Sequence, residues 1–133
     1  MNFSSDFKDV ESVINRLSKE DLLHICNGTF KCSPYTKYRL CILIEGECVG
    51  FTEVYNLPNE EYEFIVIAIV PEYRGKGYSY LLLDKMFKEY KNKYPYLWRC
   101  DKDNLNSINL AKKYNFTLMN ETNTKYEFFK GED

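Results

Sequence analysis

Two glycines and two basic residues lie together in the middle of the chain, in the segment Arg74-Gly75-Lys76-Gly77. Glycines let a backbone approach a ligand closely, and the two cations attract an anion. The free N–H groups of a helix that begins after Gly77 would add to this attraction. The segment therefore predicts a site for a phosphate or pyrophosphate group. The alternative is an ordinary strand-to-helix connection in which the glycines serve only the turn.

Two common phosphate-binding loops do not fit this segment. A P-loop ends in Gly-Lys-Ser/Thr, and that ending does not follow here. The dinucleotide fingerprint has a third glycine, which this segment also lacks. The sequence thus favours a phosphate-binding loop of another kind.

The flanking sequence predicts the elements that would hold this loop. Residues 64–70 are apolar without interruption and mostly β-branched, which is typical of a strand buried on both faces of a sheet. After Gly77 the apolar residues recur at helical spacing, at Tyr78, Leu81, Leu82, Met86 and Tyr90. A central strand is therefore expected to pass into a helix through the loop.

The segments before the central strand predict two helices and two antiparallel strands. Ser5 can cap a first helix, and Ser18 with Asp21 can cap a second that ends at Asn27-Gly28, with both helices on one face of the sheet. After a loop over residues 29–36, residues 38–44 alternate as a half-buried strand would. The turn at residues 45–47 leads to a partner strand over residues 48–55.

The segments after the central helix complete the predicted sheet. Residues 96–100 form the next strand, which should lie parallel to the central strand because a helix connects the two. A further helix is expected before Asn115. Residues 116–120 and 125–130 are then expected to form a closing pair of strands.

The composition limits the kinds of protein that fit. The 133 residues suit one domain over residues 1–133, and 44% hydrophobic residues indicate a core-forming chain. A formal charge of −2 gives no footprint for nucleic acid, and no apolar run is long enough to span a membrane. We therefore expect a cytoplasmic protein.

Five cysteines without a Cys-x-x-Cys pair predict reduced thiols. The segment His24-Ile25-Cys26 lacks a second ligand pair, so no metal is expected.

The loop resembles a known family. Arg74, Gly77 and Ser79 stand in the pattern Arg-x-x-Gly-x-Ser after Ile69-Val70-Pro71. This resembles the acetyl-CoA loop of the GNAT superfamily of N-acetyltransferases, which reads Arg/Gln-x-x-Gly-x-Gly/Ala after a strand with a Val-x-Pro-like end. Ser79 departs from the usual Gly or Ala but is also small.

A second family signature, Asn-x-x-Ala-x-x-Leu-Tyr-x-Lys-x-Gly-Phe, resembles residues 104–116. The matching or similar residues are Asn104, Ser107, Leu110, Lys113 and Phe116. Two signatures in the correct order imply the GNAT fold, a mixed and mostly antiparallel α/β (α+β) sheet with a central parallel strand pair and helices on both faces. The resemblance covers about residues 39–130.

The resemblance implies acetyl-CoA as cosubstrate. Its pyrophosphate would bind the backbone amides of residues 75–80, and its pantetheine arm would pair with residues 67–69 like an extra strand, beside a bulge in many members. Asn104 matches a family asparagine on the cofactor arm, although a helix N-cap explains it equally well. The implied cofactor-binding residues are Ile67, Ala68, Ile69, Arg74, Gly75, Lys76, Gly77, Tyr78, Ser79, Tyr80 and Asn104.

Acetyl transfer to an amine requires a neutral amine and stabilisation of the developing oxyanion. Glu63 matches the glutamate that acts as general base in the histone acetyltransferase branch. A solvated carboxylate at the strand edge is the alternative, and with Glu53, Glu60 and Glu61 it could instead attract a cationic amine or keep the hairpin soluble. The glutamate that ribosomal-protein acetyltransferases use on the following strand is replaced around Arg99, which argues against that subfamily.

The usual general acid of the family is the tyrosine of the second signature, and that position is Ala111 here. Tyr114 lies three residues further along the helix and is the candidate acid. Cys100 would need a basic partner to act as a nucleophile that carries the acetyl group. Direct transfer of acetyl from acetyl-CoA to the amine is therefore preferred.

The resemblance therefore implies an N-acetyltransferase that moves acetyl from acetyl-CoA directly to a primary amine on a small molecule or peptide. A catalytically degenerate acyl-CoA-binding sensor or interaction module is the alternative, suggested by Ala111 and Ser79. A domain that binds another phosphate ligand is a third hypothesis. A monomer or a homodimer would fit the family.

Overall fold

The computed structural model describes residues 1–26 and 34–131, apart from the side chains of His24 and Cys26. The predicted end of the second helix at Asn27-Gly28 and most of the loop over residues 29–36 lie outside the described residues. The described strands are β1 (Asn2–Ser4), β2 (Thr36–Ile44), β3 (Glu47–Tyr55), β4 (Glu63–Ile69), β5 (Tyr96–Asp101), β6 (Thr117–Glu121) and β7 (Lys125–Lys130). The described helices are α1 (Phe7–Ile14), α2 (Lys19–Cys26), α3 (Tyr78–Glu89) and α4 (Leu105–Lys113), with a 3₁₀ turn at Pro71–Tyr73.

Within the described part of the chain, seven strands form one sheet in the order β1-β2-β3-β4-β5-β7-β6. The β4–β5 pair is parallel, and the other neighbours are antiparallel. The predicted fold class is therefore confirmed, including the parallel pair across the connecting helix.

Helices cover both faces of this sheet. On one face, Val10 and Val13 of α1 pack against Cys41, Phe51 and Ala68. On the other face, α3 and α4 cover a cluster that draws on β3, β4, β5 and β7. Its buried members are Val54, Ile65, Leu83, Met86, Tyr96, Trp98, Cys100, Ile108, Ala111, Phe116 and Phe128. Helices thus cover both faces at the centre of the sheet, whereas all residues of the edge strand β6 are exposed.

The prediction that β2 is half-buried is wrong. Leu40, Cys41 and Ile42 are successive residues, and all three are buried. Successive side chains of a strand point to opposite faces, so both faces of β2 are covered here. The cause is that α1 packs on one face and α3 on the other.

The N-terminal segment differs from prediction in two respects. Asp6, and not Ser5, caps α1, because its carboxylate accepts the backbone N–H of Lys8. Residues 2–4 form the short edge strand β1 against β2, which the sequence did not predict. The capping exchange between Ser18 and Asp21 is confirmed, since each side chain accepts the other residue's backbone N–H.

Candidate active site

The parallel strands β4 and β5 separate soon after they meet. In the described chain they pair at Glu63 with Tyr96 and at Phe64 with Leu97, and residues 65–69 of β4 continue without a partner in β5. The register of β3 with β4 runs without a shift from Gly50–Ile69 to Tyr55–Phe64. The two strands therefore part without a bulge in that ladder, and they leave a wedge between them.

Backbone groups of β4 point into this wedge. Val70 donates to the carbonyl of Val49 in β3 at 2.8 Å, and Glu63 donates to Pro95 at the start of β5 at 2.8 Å. Because the backbone direction alternates along a strand, odd-numbered residues of β4 direct their N–H and C=O groups toward β5. Among the predicted residues, Ile67 and Ile69 thus face the wedge, whereas Ala68 pairs with β3.

The loop after β4 is open to a ligand on its outer side. Gly75 and Gly77 have φ angles of +77° and +84°, a region that L side chains rarely adopt. A Cβ built on either glycine would meet no described atom within 4 Å. Gly77 is also the N-cap of α3 and provides no side chain to cap the first helical N–H groups. Free N–H groups at the start of a helix are a common place for an anion to bind, and the predicted pyrophosphate site around Tyr78 stays a prediction.

The Arg74 side chain, predicted to bind the cofactor, has protein partners. The Arg74 guanidinium donates to the Ile69 carbonyl at 2.9 Å and to the Asp21 carboxylate at 3.1 Å. Burial opposes ionisation of Asp21, but the Arg74 hydrogen bond and charge outweigh it and lower the pKa of that carboxyl. Arg74 therefore ties the loop to α2.

Asn104 is the N-cap of α4, and its side-chain oxygen accepts the backbone N–H of Ser107 at 3.3 Å. A groove of about 380 Å³ lies beside it and reaches Glu20 of α2. The cap accounts for the side-chain oxygen of Asn104. The predicted contact with the cofactor arm stays a prediction.

The Glu63 carboxylate is 1% exposed and holds the connection between α3 and β5. One oxygen accepts the backbone N–H groups of Lys93 at 2.6 Å and Tyr94 at 2.8 Å. The other accepts the Tyr90 hydroxyl, whose pKa is raised by burial and by this carboxylate. Glu63 thus has three donors, which explain its burial without reference to chemistry.

Tyr114 lies between α3 and α4. Its hydroxyl donates to the Asp84 carboxylate at 2.7 Å, and burial together with this carboxylate raises the pKa of Tyr114. Ala111, at the family's usual tyrosine position, is fully buried in the core cluster. A raised pKa makes a phenol a weaker acid, so this geometry gives the predicted general acid no assistance.

A second cavity of about 460 Å³ lies on the α2 face of the sheet, beside the wedge. We call it the α2-side cavity. Its apolar lining residues are Leu23, Ile25, Tyr55, Leu57, Phe64, Ile65 and Val66, and its polar ones are Arg99, Thr122, Lys125 and Glu127.

Sequence reasoning did not predict that these polar residues share a site. Arg99 and Glu127 are paired across the β5–β7 ladder, and Lys125 precedes Glu127 by two residues on the same face. The alternation along residues 125–130 is the sequence signal that could have placed the latter two on one face.

Other candidate sites have less support. Among the described side chains, no three His, Cys, Asp or Glu residues are placed to hold a metal ion. Cys41, Cys48 and Cys100 are free and buried. None of the described helices combines the length and the apolar character needed to cross a membrane.

Comparison with known proteins establishes the family. A family model described as the acetyltransferase (GNAT) family matches residues 8–116. Because this match covers most of the 133 residues, the chain belongs to the GNAT acetyltransferase family, which uses acetyl-CoA. No curated protein sequence matches the chain.

Solved structures agree with this family in fold. Smu.2055 from Streptococcus mutans has a TM-score of 0.70 at 18% identity, over 100% of this chain and 99% of that one. The ribosomal-protein-S18-alanine N-acetyltransferase from Escherichia coli has a TM-score of 0.70 at 12% identity, over 98% and 92%. RimL, a ribosomal L7/L12 alpha-N-protein acetyltransferase solved with coenzyme A, has a TM-score of 0.60 at 18% identity, over 73% and 62%. At these identities the likeness concerns the fold.

Proposed function

We propose that this protein is an N-acetyltransferase that moves acetyl from acetyl-CoA directly to a primary amine. The observation that carries this proposal is the wedge between β4 and β5, which opens beside the glycine loop at the start of α3. In this proposal the pyrophosphate binds the amides of residues 75–80, and the pantetheine arm pairs with Ile67 and Ile69 as an added strand.

The wedge also supplies a place for the reaction. The amine nitrogen attacks the thioester carbonyl carbon, the C–S bond breaks, and the thiolate leaves. In this proposal a backbone N–H of β4 that faces the wedge, and that is not paired with the pantetheine arm, stabilises the developing oxyanion. One proton must leave the attacking amine, and one must reach the thiolate sulfur.

Glu63 as the base and Tyr114 as the acid are the residues that we propose for these two proton transfers. The Tyr114 hydroxyl already donates to Asp84, and the Glu63 carboxylate already accepts backbone N–H groups. Glu63 would therefore act on the amine through a water molecule. Glu63→Gln should lower kcat at neutral pH with little change in acetyl-CoA affinity, and Tyr114→Phe should lower kcat if the phenol protonates the thiolate. Unchanged kcat in either variant would remove that residue from the mechanism and leave water in its place.

A catalytically degenerate acyl-CoA-binding module is the second candidate. The specific observation in its favour is that Ala111 is buried where the family has its acid, while the nearby Tyr114 hydroxyl is bound to Asp84. This module would bind acetyl-CoA but acetylate no amine in a broad panel.

The deciding experiment is calorimetric titration with acetyl-CoA of the unmodified protein, Gly77→Asp and Gly46→Asp. Gly46 is a matched control, because it has a φ of +80° and equally open surroundings but lies in the β2–β3 turn. We expect micromolar binding that weakens about a hundredfold or more in Gly77→Asp, because the new carboxylate repels the pyrophosphate. Equal loss in both variants, or no binding by the unmodified protein, would contradict the proposed cofactor site.

A further inference from the structure

The α2-side cavity has features that point to the chemical class of the amine, an inference that rests on the proposed function. Arg99 is central to it. The two strands last pair at Leu97 and Phe64, so Arg99 stands where β5 has just parted from β4. A group bound by Arg99 would therefore lie next to the wedge in which the thioester is proposed to react.

The Arg99 guanidinium is oriented by two neighbouring side chains, and its own side chain is 45% exposed. Its Nε and one terminal nitrogen donate to the same Glu127 oxygen at 2.7 and 2.6 Å, and its carbon lies 5.4 Å from the centre of the Phe64 ring. Glu127 is itself oriented by the Asn120 amide, which donates to its other oxygen at 2.9 Å. A guanidinium has five N–H donors in a planar fork, so these contacts orient it and leave donor capacity for a second anion.

The charges around the cavity suit a ligand that carries one positive and one negative charge. Lys125 also lines the cavity and forms an ion pair with Asp101 of β5. Hydrogen bonds from Asn120 and Arg99 outweigh burial and lower the pKa of Glu127, so this carboxylate stays ionised at neutral pH. The cavity therefore offers two cations to a carboxylate, and their paired carboxylates, Glu127 and Asp101, offset the positive charge.

The rest of the cavity is apolar. Leu23 of α2 is 56% exposed and Leu57 is 38% exposed, and both line the cavity with Tyr55 and Val66. Exposed apolar side chains around a cavity of this size indicate a bound apolar group. A ligand that reaches from Arg99 to these residues carries a carboxylate at one end and an apolar side chain at the other.

We infer that the acceptor is a free α-amino acid with an apolar side chain, whose carboxylate is bound by Arg99. The amine, one carbon away from the carboxylate, then points into the wedge, and the apolar side chain lies against Leu23 and Leu57. Arg99 is in this account a specificity-determining residue, and Glu127 is a positioning residue that orients it.

The test compares kcat/KM for L-leucine, L-phenylalanine and L-methionine with kcat/KM for their amides. Each amide replaces the carboxylate by a neutral group of similar size. Its amine is less basic, so a larger fraction of it is neutral and ready to react near pH 7. A preference for the free acid would therefore run against the difference in amine protonation. We expect the best free amino acid to exceed its amide at least about tenfold, as a charge-assisted hydrogen bond predicts. Arg99→Gln should lower this ratio to about one, and Arg99→Lys should retain part of the preference for the free acid.

Lys88→Gln is the matched control, since it removes one exposed positive charge from α3, on the opposite face of the sheet. Its ratio should equal that of the unmodified protein. Equal kcat/KM for acid and amide, or a loss in Arg99→Gln that is the same for both, would overturn the inference.

A second readout separates this inference from the proposed function. Calorimetric titration with N-acetyl-L-leucine and N-acetyl-L-leucinamide needs no chemistry, and the acid should bind about tenfold more tightly in an Arg99-dependent way. Such binding without acetylation of any amine would refute the proposed enzyme but retain the carboxylate site. Acetylation of amines without this preference would do the reverse, and failure of both readouts would refute both.

Discussion

Two buried glutamates on neighbouring strands are stabilised in different ways. Glu53 of β3 and Glu63 of β4 are each 1% exposed. Glu53 accepts a hydrogen bond from the Arg39 guanidinium at 2.7 Å, within an ion pair on the α1 face. Glu63 lies toward α3 and accepts two backbone N–H groups and the Tyr90 hydroxyl. One carboxylate thus has a charged partner, and the other has neutral donors.

The difference shows that burial alone does not determine how a carboxylate affects folding. Burial raises the pKa of Glu53, although the Arg39 hydrogen bond and charge partly oppose this rise. A raised pKa means that the folded state loses stability as pH rises from the ordinary value of the group through its folded value. The contribution of Glu53 to the stability of the folded state therefore depends on pH, and the contact with Arg39 limits this dependence.

The largest expected effect follows from removing the charged partner. Arg39→Met should lower the free energy of unfolding by about 3–5 kcal/mol near pH 7, because Glu53 then remains buried without its cation. The loss should be smaller near pH 4, where a carboxyl whose pKa is raised further is protonated in the folded state. Urea unfolding at both pH values measures this.

Lys85→Met is the control for that measurement. Lys85 forms an exposed ion pair with Glu89 one helical turn away, and its loss should cost below about 1 kcal/mol at either pH. An equal loss for Arg39→Met at both pH values would show that its guanidinium contributes by packing and not by charge.

The next effect distinguishes the neutral donors of Glu63. Glu63→Ala should lower the free energy of unfolding by about 3 kcal/mol, because it leaves buried donors unsatisfied. Glu63→Gln should retain most of that stability, since its amide oxygen can accept the N–H groups of Lys93 and Tyr94. Chemical denaturation of the two variants measures the difference, and equal losses would contradict the proposed arrangement of donors.

The smallest effect concerns one donor alone. Tyr90→Phe should cost about 1–2 kcal/mol, because it leaves one Glu63 oxygen without its hydroxyl donor. In a double-mutant cycle with Glu63→Ala, the two losses should be less than additive. Strict additivity would show that Tyr90 contributes through its ring, which lies 5.7 Å from that of Tyr38.

The central elements were predictable because their signals are local. The apolar run that forms β4 and the glycines of the following loop occupy adjacent residues, and α3 begins directly after Gly77. The burial of β2 was not predictable in the same way. It depends on α3, which follows some 35 residues later and covers the second face.

The side-chain environment of the site was less accessible to sequence reasoning. The partners of Glu63 include the backbone N–H groups of Lys93 and Tyr94, which no residue type reveals. The Arg99–Glu127 pair depends on the register of β5 with β7, and these two strands are separated in the sequence by α4 and β6. In both cases long-range geometry, not local pattern, brings the groups together.

The early separation of β4 from β5 divides the sheet into two panels, one of β1–β4 and one of β5 to β7. In the described chain two residue pairs of backbone join them, so the panels are held together chiefly by the core cluster, to which Val54 and Trp98 contribute from opposite sides. A ligand strand placed between the panels would complete the interrupted ladder, so hydrogen exchange at the amides of Ile67 and Ile69 should slow when such a ligand binds.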